Sequence, residues 1–355
     1  MKKEEGALLA YCRAGFEPDL ANEFRASGLT RIEQGSGFLV VQCSPAAATA
    51  ALSQDWIFAR AIMRASLEPI ALDGNDRVTP IARRAEQWLS DTGTSAVSGV
   101  RIEFPDTNEG KTVSRLAQIL EPRLAEVLKG QLAADDPKAP LLHVFLTPDR
   151  LARLALSRPG TCPWRNGIPR LRMPSEAPSR STLKLAEAFM SFLGDDLERA
   201  VRPDMRAVDL GAAPGGWTWQ FVSRGVRVMA IDNGALKGDL VDNAMVKHLR
   251  MDGFKFEPKQ AVDWMVCDMV DKPSRIAALV ARWMGQQWCG ASIFNLKLPM
   301  KKRFEEVEKC RAVIAEAMEE TGRRYEIRIR QLYHDREEVT GLVRFLPRIS
   351  HGRKH

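Results

Sequence analysis

The spacing of apolar positions divides the chain into segments with different element orders. Residues 6–65 alternate the apolar runs ALLAYC, GFLVVQC and WIFARAIMRAS with two segments that have helical spacing, EPDLANEFRASG and an Ala-rich stretch. Strands and helices in this order form small α+β units. The pattern therefore predicts a ferredoxin-like domain over residues 1–66.

A second α+β unit is predicted over residues 67–158. Its pattern gives a helix over VTPIARRAEQWLSD, a strand over VSGVRIEFP, a helix over VSRLAQILEPRLAEVL, and two closing strands, LLHVFL and LARLALS. His143 stands inside an apolar strand, where we expect a hydrogen-bonded core histidine rather than a ligand. Residues 159–180 contain five prolines, which predicts a stiff connector.

From residue 181 helices and strands alternate regularly. The helix STLKLAEAFMSFL begins at Ser181, which we expect to cap it. The strands MRAVDLG, VRVMAID, MVKHLRMD, VDWMVCD and ASIFNLK follow at helix-length intervals, and YEIRIRQLYH and EVTGLVRFL form a final hairpin. Residues 181–350 are therefore predicted to form an α/β domain whose sheet is mostly parallel, with an antiparallel end.

Composition restricts the class of protein. The chain has 355 residues, of which 45% are hydrophobic and 27% charged, as expected for a globular protein of two or three domains. It contains neither a signal peptide pattern nor an apolar run of the roughly 18 residues that a membrane span needs. We therefore expect a cytoplasmic protein. Six scattered cysteines without C-x-x-C spacing argue against disulfides and against a zinc site.

The positive charge is concentrated in the second half. The net charge is +7, and residues 1–165 carry 20 basic and 20 acidic side chains, so the whole excess lies beyond them. An excess of this kind favours a polyanionic partner, although an ordinary solvated surface is the alternative. The basic clusters are Lys297, Lys301, Lys302 and Arg303, and Arg323, Arg324, Arg328 and Arg330.

The stretch 208–218, VDLGAAPGGWT, has the pattern of a buried strand, a glycine-rich turn and a helix. Gly211, Gly215 and Gly216 permit positive φ and leave room for a ligand to approach the backbone. The spacing departs from G-x-G-x-x-G and Pro214 stiffens the turn, so a dinucleotide is not the expected ligand. Sheets of this kind bind ligands at the carboxyl ends of their strands. Four aspartates stand at or next to such ends: Asp209, Asp232, Asp252 and Asp268.

Seven motifs in one order carry a family resemblance. They are APSRSTLKLAEAF, DLGAAPGGW, AIDNG, MDGF, WMVCDMV, IFNLKLPMKKRFEEV and YHDREEV. Together they resemble the FtsJ-type ribose 2′-O-methyltransferases, which implies a Rossmann-like class I methyltransferase domain and S-adenosylmethionine as the cofactor. The dense part of the match runs from about Ser157 to Arg344.

Within that family the likeness is greatest to enzymes that methylate a cytidine of 23S ribosomal RNA. This implies 23S ribosomal RNA or a large-subunit precursor as the partner, with neither a membrane nor a metal, and we expect a monomer. Residues 67–158 resemble a THUMP RNA-binding domain by their element order and by the segments IEFPDTNEGK and LLHVFLTP. A structural packing domain is the alternative for that region.

The resemblance also implies residues that bind the cofactor. Asp232 would accept hydrogen bonds from the ribose hydroxyls, Asp252 would meet the adenine amino group, and Asp268 would lie near the sulfonium. Ser181 would contact the cofactor from the preceding helix. The turn residues that would lie against its methionine part are Ala213, Pro214, Gly215, Gly216 and Trp217.

The family is known by a K-D-K-E set, here Lys184, Asp268, Lys297 and Glu338. We expect Lys297 to take the proton of the ribose hydroxyl, for which its pKa must fall from about 10.4. Crowding against Lys184 and partial desolvation would lower this pKa, while the two carboxylates hold the amines. Glu337 competes for the last position. Glu338 is preferred because it directly precedes the valine that begins the strand.

Other activities would need other residues. A base N-methyltransferase of the D-P-P-Y type would need that sequence where this chain has Asp268, Met269 and Val270. A cytosine C5 enzyme would need a nucleophilic cysteine, whereas Cys267 lies inside a predicted strand. The alternative of a different class is a non-catalytic RNA-binding or ribosome-assembly protein with a fold that binds S-adenosylmethionine.

Overall fold

A computed structural model describes residues 6–347. The chain forms two compact units, Met1–Pro169 and Arg170–His355, and their boundary falls within the predicted connector. Residues 1–5 of the predicted domain 1–66, and residues 348–350 of the predicted domain 181–350, lie outside the described residues. Within the described range, every helix is too short or too polar to span a bilayer.

The first unit is built on one sheet with the strand order β2-β3-β1-β4-β8-β7-β6, and β5 pairs with β8. Its elements are β1 Gly6–Tyr11, α1 Glu17–Ala26, β2 Arg31–Gly35, β3 Phe38–Cys43, α2 Pro45–Ala51, β4 Ala61–Ala65, β5 Ile70–Ala71, α3 Val78–Asp91, β6 Gly99–Glu103, α4 Ser114–Val127, β7 Leu141–Leu146 and β8 Leu151–Ser157. The elements from β1 to β4 have the βαββαβ order and the strand arrangement of a ferredoxin-like fold.

Strand β2 escaped the sequence pattern because it is an edge strand with the sequence RIEQG and no fully buried side chain. Strand β4 pairs with β8, through Ala65 opposite Ala155, so the sheet continues from residues 6–65 into residues 67–158. The two predicted N-terminal domains therefore share one sheet. Their boundary at residues 66 and 67 stays a prediction.

A buried polar cluster joins the strands of this sheet around Glu103. Its carboxylate accepts hydrogen bonds from the Tyr11 hydroxyl at 2.9 Å and from the Asn166 backbone N–H at 2.7 Å. The Nδ1 atom of His143 lies 2.7 Å from the same carboxylate, and its Nε2 lies 2.8 Å from the Ser157 hydroxyl. His143 is completely buried, so the prediction of a hydrogen-bonded core histidine is confirmed.

The second unit contains a sheet with the order β11-β10-β9-β12-β13-β15-β14. Its elements are α5 Thr182–Phe192, α6 Leu197–Ala200, β9 Arg206–Leu210, α7 Gly216–Val222, β10 Arg227–Ile231, β11 Val246–Leu249, β12 Val262–Cys267, α8 Pro273–Gly285, β13 Cys289–Lys297, α9 Arg303–Glu320, β14 Tyr325–Arg330 and β15 Glu338–Phe345. All neighbours are parallel except β15, which is antiparallel to both β13 and β14. This is the mostly parallel Rossmann-like sheet with an antiparallel end that the sequence predicts.

One detail of the predicted alternation is wrong. Strands β10, β11 and β12 are not separated by α-helices, and the first connection holds only a short 3₁₀ turn at Gly238–Leu240. The connection DNGALKGDLVDNA is rich in glycine, asparagine and aspartate, which favour turns over helix. Its length alone suggested a helix.

The core of the second unit includes aromatic rings packed against the sheet. Phe189 of α5 meets Phe221 of α7 edge to face at 5.5 Å between ring centroids, and it lies 6.4 Å from Trp264 of β12. These contacts hold α5 and α7 against β12, the neighbour of the strand β9 that ends at the glycine-rich turn.

Asp209 stands one residue before the end of β9, as predicted, but its side chain lies inside this unit. It is fully buried, and the Thr218 hydroxyl of α7 donates to its Oδ2 at 2.7 Å. Burial raises the pKa of Asp209 to about 7, although the hydrogen bond from Thr218 opposes this rise. Asp209 thus ties β9 to α7 across the glycine-rich turn.

Replacing Asp209 with Asn should make the free energy of unfolding less dependent on pH. The carboxyl keeps its proton in the folded protein up to about 7 but ionises near 3.8 in the unfolded chain. Its contribution to stability is complete below the lower value and is lost as the pH rises through the higher one, by up to roughly 4 kcal/mol. Urea unfolding between about pH 5 and about pH 8 measures this loss. The exposed control Asp242→Asn should follow the wild type, and an equal loss in Asp209→Asn would contradict the assignment.

Candidate active site

The glycine-rich turn connects β9 to α7. Gly211 and Gly215 adopt left-handed backbone conformations, with φ of 79° and 113°, which side chains other than glycine rarely tolerate. Gly216 does not have a positive φ. It is needed for space instead, since a Cβ there would lie 2.2 Å from the Ser181 hydroxyl. The Ala213–Pro214 peptide bond is cis.

Ser181 and Trp217 lie on either side of this turn. Ser181 precedes α5, but its hydroxyl makes no capping hydrogen bond, because its own backbone is already helical; the expected cap is absent. Its Oγ instead lies 2.7 Å from the Ser179 Oγ. The Trp217 side chain is only 2% exposed and belongs to the hydrophobic core, so it is closed off from solvent.

Two of the predicted aspartates occupy the edge of the sheet beside the turn. Asp232 directly follows β10, and its two oxygens accept the backbone N–H groups of Ala213 at 3.0 Å and Gly234 at 2.7 Å. Asp252 follows β11 and accepts the N–H of Phe254 at 2.9 Å with its side chain exposed. Asp209, in contrast, faces the interior of the unit.

The four residues of the K-D-K-E set meet at the same edge. The Nζ of Lys184 lies 3.3 Å from Asp268 Oδ2, and the Nζ of Lys297 lies 3.3 Å from Asp268 Oδ1. Glu338 accepts hydrogen bonds from both ammonium groups through its two oxygens. Two formal positive charges are thus interleaved with two formal negative charges.

Strand register explains why these side chains meet. Lys297, at the end of β13, stands directly opposite Glu338, at the start of antiparallel β15. Side chains that stand opposite on one face of a sheet lie close together. Glu337 points elsewhere, is 60% exposed, and forms an ion pair with Arg303 at 2.8 Å. Of the two glutamates, Glu338 is therefore the one that contacts the lysines.

The pKa of Lys297 does not fall as the sequence suggested. Burial lowers it, but the carboxylates of Asp268 and Glu338 outweigh burial and hold the pKa of Lys297 well above its ordinary value. The expectation considered crowding by Lys184, whereas the carboxylates lie directly against the amine. These carboxylates therefore hold the proton on Lys297.

The sequence did not single out Asn295, although it contacts the set. Its amide Nδ2 donates to Asp268 Oδ1 at 3.0 Å. Asn295 stands two residues before Lys297 on β13, so both side chains point to the same face of the sheet. A polar residue at this spacing inside an apolar strand, IFNLK, was the available signal.

Cys267 is excluded as a nucleophile by its surroundings. It is fully buried at the end of β12, and burial raises the pKa of its thiol to about 12. Nucleophilic cysteines need an accessible thiolate. Among the described residues, no group of three or more His, Cys, Asp or Glu side chains is arranged to hold a metal ion.

The residues at this edge fit S-adenosylmethionine. Gly211 and Gly215 let the turn pack closely, because Met269 and Leu240 occupy the space that their side chains would need. Beside this turn, the carboxylate of Asp232 can accept hydrogen bonds from hydroxyls. Asp268 supplies negative charge at the edge, as a positively charged sulfonium requires. The carboxylates of Asp232 and Asp268 therefore suit a nucleoside that carries a positive charge.

Three family profiles match the chain in order. They are the RlmM ferredoxin-like domain over residues 6–63, the N-terminal domain of ribosomal RNA large subunit methyltransferase M over residues 76–158, and the FtsJ-like methyltransferase over residues 177–310. Among solved structures, TrmN from Thermus thermophilus covers 96% of this chain and 100% of its own, at 16% identity and a TM-score of 0.37. That score is too low to support an argument.

Full-length relatives are more informative. Ribosomal RNA large subunit methyltransferase M from Azoarcus sp. (strain BH72) is 47% identical over 352 residues, and the protein of that name from Thauera aminoaromatica is 45% identical over 352 residues. Each alignment covers 95% of both chains. The chain therefore belongs to the family of ribosomal RNA large subunit methyltransferase M, RlmM, and is a methyltransferase that uses S-adenosylmethionine.

Proposed function

We propose that this protein methylates the ribose 2′-hydroxyl of a cytidine in 23S ribosomal RNA or its large-subunit precursor. The relatives named for large-subunit ribosomal RNA support the substrate. The observation that carries the reaction type is the convergence of Lys184, Asp268, Lys297 and Glu338 at the edge of the sheet beside the glycine-rich turn.

Exposure favours Lys297 as the residue that meets the substrate. Its side chain is 28% exposed, compared with 17% for Lys184 and 5% for Glu338. Lys184 contacts both carboxylates from the buried side. Lys297 is thus the amine that a ribose hydroxyl can reach, and Lys184 holds the carboxylates in place.

A ribose hydroxyl becomes a good nucleophile only as its proton leaves. When bound, S-adenosylmethionine supplies the methyl group and one positive charge. Asp268 and Glu338 balance the two amines in the protein alone, so one added positive charge leaves the set with a net positive charge. Lys297 then loses its proton more readily and can accept the proton of the hydroxyl. We infer that cofactor binding compensates the raised pKa of Lys297.

Exposed apolar and basic side chains flank the set. Val270 follows Asp268 by two residues and is 85% exposed, and Met300 follows Lys297 by three residues and is 90% exposed. Lys301 is also exposed. Apolar side chains can pack on an unstacked base while lysines contact phosphates, which is how proteins reach single-stranded RNA. We infer that the target nucleotide is unpaired when it enters.

The N-terminal residues complete the proposal. We assign residues 67–158 as a THUMP-like RNA-binding domain, residues 1–66 as a ferredoxin-like domain, and residues 181–350 as the catalytic domain of a monomer. A non-catalytic assembly protein is the competing function. The interleaved charges favour an enzyme, since a fold used only for binding has no need of two partly buried amines at its ligand edge.

Lys297→Ala should abolish methyl transfer while leaving binding intact. Loss of a general base lowers the rate by about a hundredfold to ten-thousandfold. The assay follows transfer from labelled S-adenosylmethionine into unmodified 23S ribosomal RNA and maps the alkali-resistant linkage. Dissociation constants for cofactor and RNA should stay within about threefold of the wild type. The control is Lys309→Ala on the exposed surface of α9. A rate near that of the control would disprove the base assignment.

Glu338→Gln should move the pH profile of kcat, measured at saturating S-adenosylmethionine, to lower pH. The rate rises with pH as Lys297 loses its proton, and removing one of the two carboxylates lowers the pKa of Lys297. We expect a shift of about one pH unit or more, together with a lower plateau. Glu337→Gln is the matched control and should leave the profile in place. A Glu338→Gln profile that stays in place or moves to higher pH would contradict this role.

Lys301→Ala should weaken RNA binding through phosphate contact. Removing one such contact reduces the slope of log K against log salt by about one, whatever the sequence of the RNA. Filter binding at several salt concentrations gives the slope, and the turnover number at saturating RNA should not change. Lys309→Ala again serves as the control. An unchanged slope would place the RNA elsewhere.

A further inference from the structure

A row of buried polar side chains lies behind the K-D-K-E set. The row begins next to Asp268 and consists of Asn295 on β13, Thr340 on β15 and Asp335 in the loop before β15. All three side chains are 0% exposed. The Thr340 Oγ1 lies 2.8 Å from Asn295 Oδ1 and 2.8 Å from Asp335 Oδ2. Asn295 Nδ2 lies 3.0 Å from Asp268 Oδ1. One continuous chain of contacts thus runs from Asp335 to the active-site edge.

The number of hydrogens on each group determines which residue donates and which accepts along this chain of hydrogen bonds. Asp268 receives hydrogen bonds from the ammonium groups of Lys184 and Lys297, so its oxygens act as acceptors. Asn295 must therefore turn its NH₂ toward Asp268, which leaves its carbonyl oxygen toward Thr340. That oxygen needs a donor, and the Thr340 hydroxyl is the one beside it.

A threonine hydroxyl has a single hydrogen. Because Thr340 donates it to Asn295, the 2.8 Å contact between Thr340 and Asp335 needs its hydrogen from Asp335. Two bare oxygens at that distance in a dry interior would repel each other. A carboxylic acid at Asp335 supplies that hydrogen, while its Oδ2 also accepts the backbone N–H of Leu332 at 3.3 Å.

The surroundings of Asp335 keep it protonated. Burial raises its pKa well above the ordinary value, and the nearby carboxylates of Glu338 on β15 and Glu187 on α5 act in the same direction. Thr340, as a hydrogen-bond partner, and the ammonium of Lys184 on α5 oppose the rise without cancelling it.

The loop is held in place by Glu187. Its carboxylate accepts the backbone N–H groups of Tyr333 and His334, both at 2.8 Å, and lies 2.6 Å from the His334 ring. The motif YHDREEV thus anchors the loop through its first two residues and supplies Asp335 as the third.

We propose that Asp335 is a positioning residue which, as the neutral acid, starts a one-way hydrogen-bond chain through Thr340 and Asn295 and fixes the orientation of Asp268. The neutral form also leaves the charge balance of the set unchanged. The effect on turnover rests on the proposed function, whereas the protonation state of Asp335 does not.

Infrared difference spectra test the protonation state without any assay of activity. Wild type minus Asp335→Asn, recorded on the full-length protein above neutral pH, should show a protonated carboxylic acid band that the variant lacks. Other buried acids cancel because both proteins contain them. A carboxylate band in place of the acid band would overturn the proposal, even if the protein is a 2′-O-methyltransferase.

The pH profile tests the charge of Asp335 during turnover. An asparagine amide can donate to Thr340 as the acid does, but its NH₂ loses the 3.3 Å hydrogen bond from the backbone N–H of Leu332. Asp335→Asn should therefore keep kcat within about tenfold, with a pH profile that coincides with the wild type. If Asp335 were ionised, the variant would lose a negative charge near Lys184 and Glu338, and its profile would move to lower pH. That movement would overturn the proposal.

Thr340→Val tests whether the chain positions Asp268. The valine keeps the shape and the strand propensity but removes the hydroxyl, so kcat should fall on the order of tenfold or more while the KM for RNA stays near that of the wild type. Thr340→Ser should restore most of the rate. The control is Ser292→Ala. Ser292 is on β13, and its hydroxyl is also buried but makes only a 3.6 Å contact with Met265 Sδ. Full activity in Thr340→Val, with unfolding like that of the control, would show that the chain has no positioning role.

Discussion

The pairing of Lys297 with Glu338 across β13 and β15 is the interaction on which the rest of the site depends. Antiparallel register places the two residues directly opposite each other, and Asp268 reaches them from the end of the neighbouring parallel strand. Charges removed from water must be paired, and the loss of one partner leaves an uncompensated charge. The antiparallel strand β15, inserted between β13 and β14, therefore creates the site as well as joining β14 to the sheet.

This pairing has a cost for the proposed chemistry. The same carboxylates that hold Lys297 in place also raise its pKa and keep it protonated. A base held in this way cannot accept a proton until another positive charge enters the set. Under the proposed mechanism, the base becomes active only when the methyl donor is present, so cofactor binding and proton removal are linked through electrostatics.

The buried polar side chains have different roles in the two units. In the first unit, Glu103 forms hydrogen bonds with residues of two other strands and with Asn166, and it joins a sheet that runs without a break across both predicted N-terminal domains. In the second, Asp209 ties β9 to α7, while the proposed chain from Asp335 leads to the catalytic edge. Satisfied buried polar groups restrict a core to one arrangement, and here they restrict the site as well.

Much of this protein could be predicted from the sequence, because local patterns carry the period of each element. Helix α3 and strands β7 and β8 have the predicted bounds, and the motifs identify the family before any contact is known. The edge strand β2 could not be predicted, because its sequence lacks an apolar pattern. The absence of α-helices between β10 and β12 could not be predicted either, because the connecting segment after β10 is long enough for a helix. The family pattern already favoured Glu338 over Glu337, and the structure brings Glu338 to the lysines. Tertiary structure alone decided that the pKa of Lys297 rises and that Asn295 and Thr340 connect Asp335 to Asp268. The physical reason is that these outcomes depend on distances of about 3 Å between residues far apart in the chain, which strand register sets and local sequence does not encode.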